Sequence, residues 1–420
     1  MRRAEKLSRK LPGGKCEKMK EIKLGIIGLG QRGYLLLQDV LLPQKIAQVT
    51  AVCDAYQDRC EQAAALVEKS CGTRPAEYQD YRELLRDGNV NTVLIACAWE
   101  DHIPVAVAAM HAGKAVGMEV GGAYTIEQCW QLVDTYEQTR TPFMFLENCC
   151  FGQREMQVLY MKEQGVFGQI VHCTGGYQHD LREEICGGKQ NRHYRLRNYL
   201  SRNCENYPTH ELGPIARILD INHGNRMLTL TSTASCSAGL HAYIEQKYPD
   251  DELLRNAKFQ QGDVVTTVIK CARGETIALT LDTSLPRFYC RNFSVHGTKG
   301  LYDENSDSIF LDTEEDRAKE SHWIRHSACN AESYRAKYEH PVWKQYIEQG
   351  VQGSHSGMDW LEFQIFFDCL KEGKPMPIDV YDAASWMAIT ALSEQSIARG
   401  SAAVDIPDFT RGKWEYESVR

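Results

Sequence analysis

KLGIIGLGQRG, residues 23–33, joins a short apolar run to a glycine triplet and opens onto a segment with a helix-like apolar face. The run 23–28 reads as a buried parallel strand. Residues 32–42 read as a helix that Pro43 stops, and 48–54 (QVTAVCD) as a second strand. Gly28, Gly30 and Gly33 therefore spell G-x-G-x-x-G between strand and helix of a βαβ unit, the setting in which that pattern carries meaning. Gly28 permits the tight turn, and Gly30 lets backbone approach a pyrophosphate. Gly33 lets helix and strand pack closely, and the helix N-terminus receives phosphate charge. Gln31 and Arg32 lie within the same turn. Asp54, 21 residues past Gly33, ends the second strand. A carboxylate there accepts hydrogen bonds from ribose hydroxyls and repels a 2′-phosphate, which favours NAD over NADP. Structural turn glycines with a capping Asp would be the alternative, and it needs several coincidences at once.

Outward from this turn the pattern repeats. Helical stretches at 58–69, 103–112 and 125–138 alternate with strand-like runs at 92–97, 115–120 and 142–147. Strands alternating with helices of this length predict an α/β, doubly wound parallel sheet, a Rossmann domain over 19–147. After a helix at 153–164 the rhythm changes. Residues 264–272 and 275–282 flank Arg273-Gly274, a hairpin signal, and 292–296 leads into Gly297 and Gly300. This predicts a C-terminal α+β domain over 148–420 with an open, largely antiparallel sheet. Two late helices, 358–372 and 381–399, could return to the first domain.

The 420 residues exceed the size at which one core keeps growing. A net charge of −8, from 48 basic and 56 acidic side chains, disfavours nucleic-acid or anionic-membrane surfaces. No apolar run approaches the roughly 18 residues of a membrane helix. The 16 cysteines show no C-x-x-C pair and scatter through apolar segments such as 93–98 (VLIACA). They read as buried reduced thiols of a cytoplasmic protein. The basic residues 1–18 carry Arg2-Arg3 but no apolar stretch after them, so a disordered tail is expected, with Met19 an alternative translation start.

By Glu119 the chain resembles the glucose–fructose oxidoreductase / inositol dehydrogenase family, which joins a Rossmann domain to an open-faced sheet. Its typical members carry Glu-Lys-Pro at the end of the fifth strand; here Glu119-Val120-Gly121 stands there, so the lysine that assists hydride transfer is missing. Downstream, 146–150 (LENCC), 177–182 (YQHDLR), Arg195, 207–214 (YPTHELGP), 286–291 (PRFYCR), 355–359 (HSGMD) and 407–414 (PDFTRGKW) resemble glycoside hydrolase family 109, the NAD-dependent α-N-acetylgalactosaminidases. Members usually show proline and alanine where Gly121-Gly122 stand and glycine where Glu211 stands. A charge beside Tyr207–His210 is expected to alter which sugar fits.

The resemblance implies a redox route to hydrolysis of a small-molecule glycoside rather than the usual two-carboxylate mechanism. NAD takes hydride from C3 of the sugar, a base removes the acidified C2 proton, the aglycone leaves, water adds, and the hydride returns. Candidate catalytic residues are His210 for the C3 hydroxyl and Tyr177 for the C2 proton or leaving group. His179 and Tyr207 assist. Tyr177 and His179, two apart on a strand, share a face; Tyr207 and His210 sit three apart in a Pro-containing turn at a possible helix start. The resemblance matches Arg195 and Tyr289 to substrate contacts, and Glu119 and Asn148, with Val120 and Tyr207, to the cofactor. Trp99 and His102 lie just beyond the run 92–97, at the carboxyl end of a strand where such sheets bind ligands, with a loop anchor the alternative for Trp99. Taken singly, each of these side chains also reads as an ordinary core, cap or surface group; for Arg195 that alternative is a surface ion pair. No metal site is assigned. His355 and Asp359 read as a helix cap, and Asp180, Glu183 and Glu184 as a solvated turn. A sugar dehydrogenase forming a 3-ketosugar and an NAD-bound regulator remain as other readings. The open sheet face is a candidate surface for a second copy of the chain.

Overall fold

The computed structural model describes residues 18–319, 329–353 and 355–415; the tail expected over 1–18 lies, apart from Lys18, outside them. Six strands form the first sheet: β1 (Lys23–Ile27), β2 (Gln48–Cys53), β3 (Ala76–Tyr78), β4 (Thr92–Ile95), β5 (Ala115–Glu119) and β6 (Phe143–Leu146). Their order is β3-β2-β1-β4-β5-β6 and every pair is parallel. β4, β5 and β6 are buried along their whole length, as the continuous apolar runs require when helices cover both faces. The order reverses between β1 and β4, and the crevice at their carboxyl ends is where such sheets take ligands.

Eight strands form the second sheet: β7 (Ile170–Gln178), β8 (Met227–Ala234), β9 (Val264–Cys271), β10 (Thr276–Asp282), β11 (Ser294–Gly297), β12 (Gly300–Asp303), β13 (Ser308–Leu311) and β14 (Val404–Asp405). They run β13-β12-β11-β7-β10-β9-β8-β14, antiparallel except for the β7–β10 pair. The hairpin read at Arg273-Gly274 joins β9 to β10, with Thr276 opposite Lys270 and Gly274 at φ +106°. β9 alternates strictly, burying Val265, Thr267, Ile269 and Cys271 while Thr266, Val268 and Lys270 stay exposed, so one face of this sheet is open.

Helix Val380–Ala398 packs against helix Ile126–Thr139, β6 and β8, which ties the two sheets together. Its start is set by a capping box in which Asp379 accepts from Tyr381 and Asp382. Helix Met358–Glu372 packs against the turn Asn148–Phe151 and the helical segment Leu37–Leu41.

Three local expectations need correction. Pro43 does not stop the first helix. The helical path runs from Gln31 to Gln44 and ends at Lys45 in left-handed conformation. Over Leu37–Leu41 it widens, and the Leu42 amide reaches back five residues to the Leu37 carbonyl. That extra turn relieves the crowding that a proline ring imposes on a regular α-helix. The third helix starts at Trp99, not 103, and continues past Pro104. β3 and helix Tyr81–Arg86, both too short to show a period, were not anticipated.

Candidate active site beside the dinucleotide groove

The glycine turn has the shape its sequence requires. Gly28 lies at φ +97°, and a Cβ there would stand 2.4 Å from the Cys97 nitrogen. A Cβ on Gly33 would stand 2.0 Å from the Gly28 carbonyl oxygen. At Gly30 a Cβ would meet nothing nearer than Arg59 Nη1 at 3.7 Å, so open space lies over the backbone where a pyrophosphate would approach. Asp54 is buried and accepts from the Leu29 amide (2.7 Å) and the Tyr56 amide (3.0 Å), which aims its carboxylate along the groove. Gln31 opens the helix and is exposed. A left-handed turn, an open approach at Gly30 and a fixed carboxylate fit a dinucleotide.

Arg32, Glu119 and Asn148, each matched to the cofactor, hold one another through Asp359. Arg32 donates to Glu119 (2.9 Å) and bidentately to Asp359 (2.8 and 3.0 Å); Asn148 Nδ2 donates to the same carboxylate at 2.7 Å. Burial pushes the Glu119 carboxyl up, against the pull of Arg32. The cap expected from His355 and Asp359 is not formed. Gly357 is the N-cap without a side-chain bond, and Asp359 spends its oxygens on Arg32, Asn148 and His355 (2.7 Å). Val120 is buried beside Glu119, and its amide donates to Glu119 Oε2. His102 bonds the Cys97 carbonyl at 3.0 Å, and burial lowers its pKa to about 4.

The candidate catalytic side chains converge. The ring of Tyr177 lies 4.5 Å from that of Tyr207, 5.3 Å from His210 and 5.8 Å from His179, centre to centre. Tyr207 and His210 are 4.7 Å apart. Tyr177, at the end of β7, shares a hydrogen bond of 3.2 Å with His179 Nδ1. Tyr207 and His210 flank the start of helix Thr209–Ile218, as the Pro-containing turn suggested. Trp99 stacks on Tyr207 at 5.3 Å, and the Arg195 guanidinium lies over both rings, 4.7 Å from Trp99 and 5.3 Å from Tyr207. Tyr289 is half exposed and closes the rim, 5.1 Å from the His179 ring. Burial pushes the Tyr177 phenol up to about 12, with Arg195 opposing it. Burial and then Arg195 hold His179 below its ordinary value.

Glu147 is the functional group that sequence reading missed. It lies at the end of β6, fully buried, and its Oε1 is 2.8 Å from His210 Nδ1. Burial opposes its charge, yet His210, Thr209 and the Cys149 amide together hold it below the ordinary carboxylate range. Its position in LENCC, immediately after the last parallel strand, was the available signal. Glu147, Cys149 and His210 also bring donor atoms within 4.8 Å of one another, as do His223, Asp379 and Asp382. Hydrogen bonding of His210 to Glu147 and helix capping by the two aspartates already account for these sets.

Three further expectations are corrected. Glu184 is not in a solvated turn: it pairs with buried Arg195, so Arg195 is not in a surface ion pair either. Asp180 pairs with Arg182, and Glu183 accepts from Tyr243 and Tyr248. Glu211 is not an open charge beside Tyr207–His210. It is buried against Gly175 of β7 and pairs with Arg291 at 3.4 Å, beside Glu155 and Glu304.

Comparison with known proteins bears on this geometry. Residues 22–145 match the oxidoreductase family with an NAD-binding Rossmann fold, and residues 151–416 match the glycosyl hydrolase 109 C-terminal domain. An alpha-N-acetylgalactosaminidase of Tannerella forsythia is 37% identical over 97% of this chain and 89% of its own length. The chain belongs to glycosyl hydrolase family 109. A family 109 protein of Stenotrophomonas maltophilia is 39% identical over 94% of this chain and 90% of its own. Among solved structures, levoglucosan dehydrogenase in complex with NADH and levoglucosan superposes with a TM-score of 0.67 at 18% identity, over 92% of this chain and 100% of that one. Scyllo-inositol dehydrogenase from Lactobacillus casei gives 0.64 at 15%, over 93% and 99%. The Rossmann domain of this family 109 protein binds NAD. No helix among its described residues is long and apolar enough to cross a membrane, and none of the described cysteines is in a disulfide.

The glycines at 121 and 122 now have a physical reason. A Cβ at Gly121 would stand 2.7 Å from the Trp99 ring, and one at Gly122 would stand 2.2 Å from Thr390 Oγ1. A side chain at 121 would displace the indole that stacks on Tyr207, and one at 122 would displace Thr390.

Glu205, two residues before Tyr207, is buried, and that burial raises its carboxyl from 4.5 to about 8, with the Tyr207 backbone opposing. Between those two pH values the folded state keeps a proton that the unfolded chain has lost. Stability therefore falls as pH rises through this window and levels off above it. Glu205→Gln should melt with the wild type at pH 5 and several degrees above it at pH 9; equal melting at both values by calorimetry would refute this.

Proposed function

We propose that this protein hydrolyses α-N-acetylgalactosaminides by a redox-neutral route, with His210 and Tyr177 as catalytic residues. The observation that carries the reading is the Glu147–His210 dyad packed against the Tyr177–His179 pair, beside the carboxyl ends of the parallel strands. NAD held by the Gly28–Gly33 turn and Asp54 would supply a hydride acceptor and donor for one sugar carbon. Glu147 accepts the Nδ1 proton of His210, a tautomer assigned from that contact. Nε2 is then left as the base for the C3 hydroxyl. The phenol of Tyr177, kept protonated by burial, suits proton delivery to the leaving oxygen. The neutral imidazole of His179 behind it accepts the phenol proton, so the pair also provides a path for the C2 proton through the Tyr177 oxygen. Tyr207 and Arg195 position the sugar, and Tyr289 covers it from the rim. Val120 in place of a lysine removes the acid–base group of ordinary sugar dehydrogenases and leaves this work to His210. Residues 19–147 form the cofactor domain and 148–420 the catalytic one, and described cysteines outside any disulfide suit a reducing cytoplasm.

The test needs no added cofactor. Purified protein incubated with p-nitrophenyl α-N-acetylgalactosaminide should release nitrophenol without accumulating reduced-nicotinamide absorbance, and in D₂O the product sugar should carry deuterium at C2. Stoichiometric reduced nicotinamide without aglycone release would overturn the reading.

A further inference from the structure

A loop of the second half of the chain reaches the first sheet beside Asp54. Residues 187–194 connect helix Arg182–Cys186 to helix Arg195–Ser201, and Arg192 in that loop sits at φ +54°, a left-handed backbone that a non-glycine residue rarely adopts. The bend aims its guanidinium at the first turn of helix Gln57–Cys71. There it forms two parallel bonds to Asp58, 2.9 and 2.7 Å long. The same guanidinium lies 4.4 Å over the ring of Tyr56. Arg59 lies 4.9 Å over that ring, donates to the Asn191 carbonyl in the loop at 3.2 Å, and stands 3.6 Å from Asp54. Its Nη1 is also the group that faces Gly30 across the open space of the phosphate turn. Two cations thus bracket a stretch of groove that runs from the phosphate turn to the ribose carboxylate, and a backbone carbonyl from the other half of the chain locks one of them in place.

We infer that residues 187–194 are a strap that retains NAD, with Arg192 and Arg59 as its cofactor-holding residues. An arginine fork that is bidentate to one carboxylate and stacked on an aromatic ring is an anchor that lysine cannot reproduce. The Arg59 guanidinium beside the phosphate turn suits the charge of a pyrophosphate, and Arg192 holds the loop that fixes it. Release of the dinucleotide would require the Arg192–Asp58 fork, the Arg59–Asn191 bond and the stack on Tyr56 to open together. The purpose of retention rests on the redox-neutral reading above, because an enzyme that reuses its hydride gains nothing by exchanging cofactor.

The experiment is an exchange measurement on protein purified with its cofactor. Isotope-labelled NAD is added in excess, and the appearance of label on the protein is followed after rapid gel filtration. Wild type should exchange slowly. Arg192→Ala and Asp58→Asn should each exchange about tenfold faster or more, and Arg192→Lys should fall between, with melting temperatures unchanged because both side chains lie at the surface. Either the alanine or the asparagine variant exchanging at the wild-type rate would overturn the strap, as would wild type that exchanges fully during mixing. Failure of the glycosidase reading would show separately, as no aglycone release from a protein whose variants still differ in exchange.

Discussion

His210→Ala is expected to lower kcat for glycoside cleavage about 10³-fold, the span that a positioned general base supplies. NAD content and melting temperature should stay near wild type. The side chain projects into a cluster of rings and makes no backbone bond that holds the helix. Glu147→Gln should lower kcat about 10²-fold with KM nearly constant. An amide in that position can donate to Nδ1 and select the tautomer whose Nε2 carries the proton, so the base is present but blocked. Glu147→Asp keeps the charge and should recover part of the loss. Glu147 acts through His210, so a merely structural role would appear as lower stability and lost cofactor in Glu147→Gln rather than as a drop in kcat alone. His210→Ala retaining a tenth or more of wild-type kcat would remove His210 from the chemistry.

The glycine turn allows a second large effect to be separated into two causes. Gly33→Ala places a methyl 2.0 Å from the Gly28 carbonyl oxygen, backbone that cannot move without parting helix from strand. It should cost about 3 kcal/mol of stability and abolish NAD binding. Gly30→Ala places its methyl in open space, 3.7 Å from the nearest atom. That variant should fold and melt like NAD-free wild type, with no rise on adding NAD, because the methyl fills the approach to the pyrophosphate. Melting curves with and without added NAD, together with NAD released on denaturation, decide both. Gly30→Ala that retains full cofactor would show that the dinucleotide does not cross this turn.

The two variants also separate what was legible along the chain from what was not. The Rossmann half was legible because each of its signals is local. Apolar runs at 23–28, 92–97 and 115–120 needed only their own residues to read as buried strands. The spacing of Gly28, Gly30 and Gly33 is a steric code that closes within six positions. Tyr177 with His179, and Tyr207 with His210, were also legible as pairs, since strand and helix periodicity set neighbours two and three apart on one side. Where a local rule meets an accommodation that sequence does not show, the rule misleads: Pro43 reads as a stop, but the preceding turn widens.

By itself, then, the sequence determined the parallel sheet, the phosphate turn, the hairpin at Arg273-Gly274 and the residue types of the site. Tertiary structure alone decided who meets whom. Glu147 joins His210 across 63 positions, Arg32 joins Asp359 across 327, and Arg192 joins Asp58 across 134. Glu211, a charge that sequence places beside His210, is buried and pairs with Arg291. The physical reason is that a buried charge must find a partner when water is removed. Packing of the whole chain settles which partner is within reach, and no local periodicity encodes it.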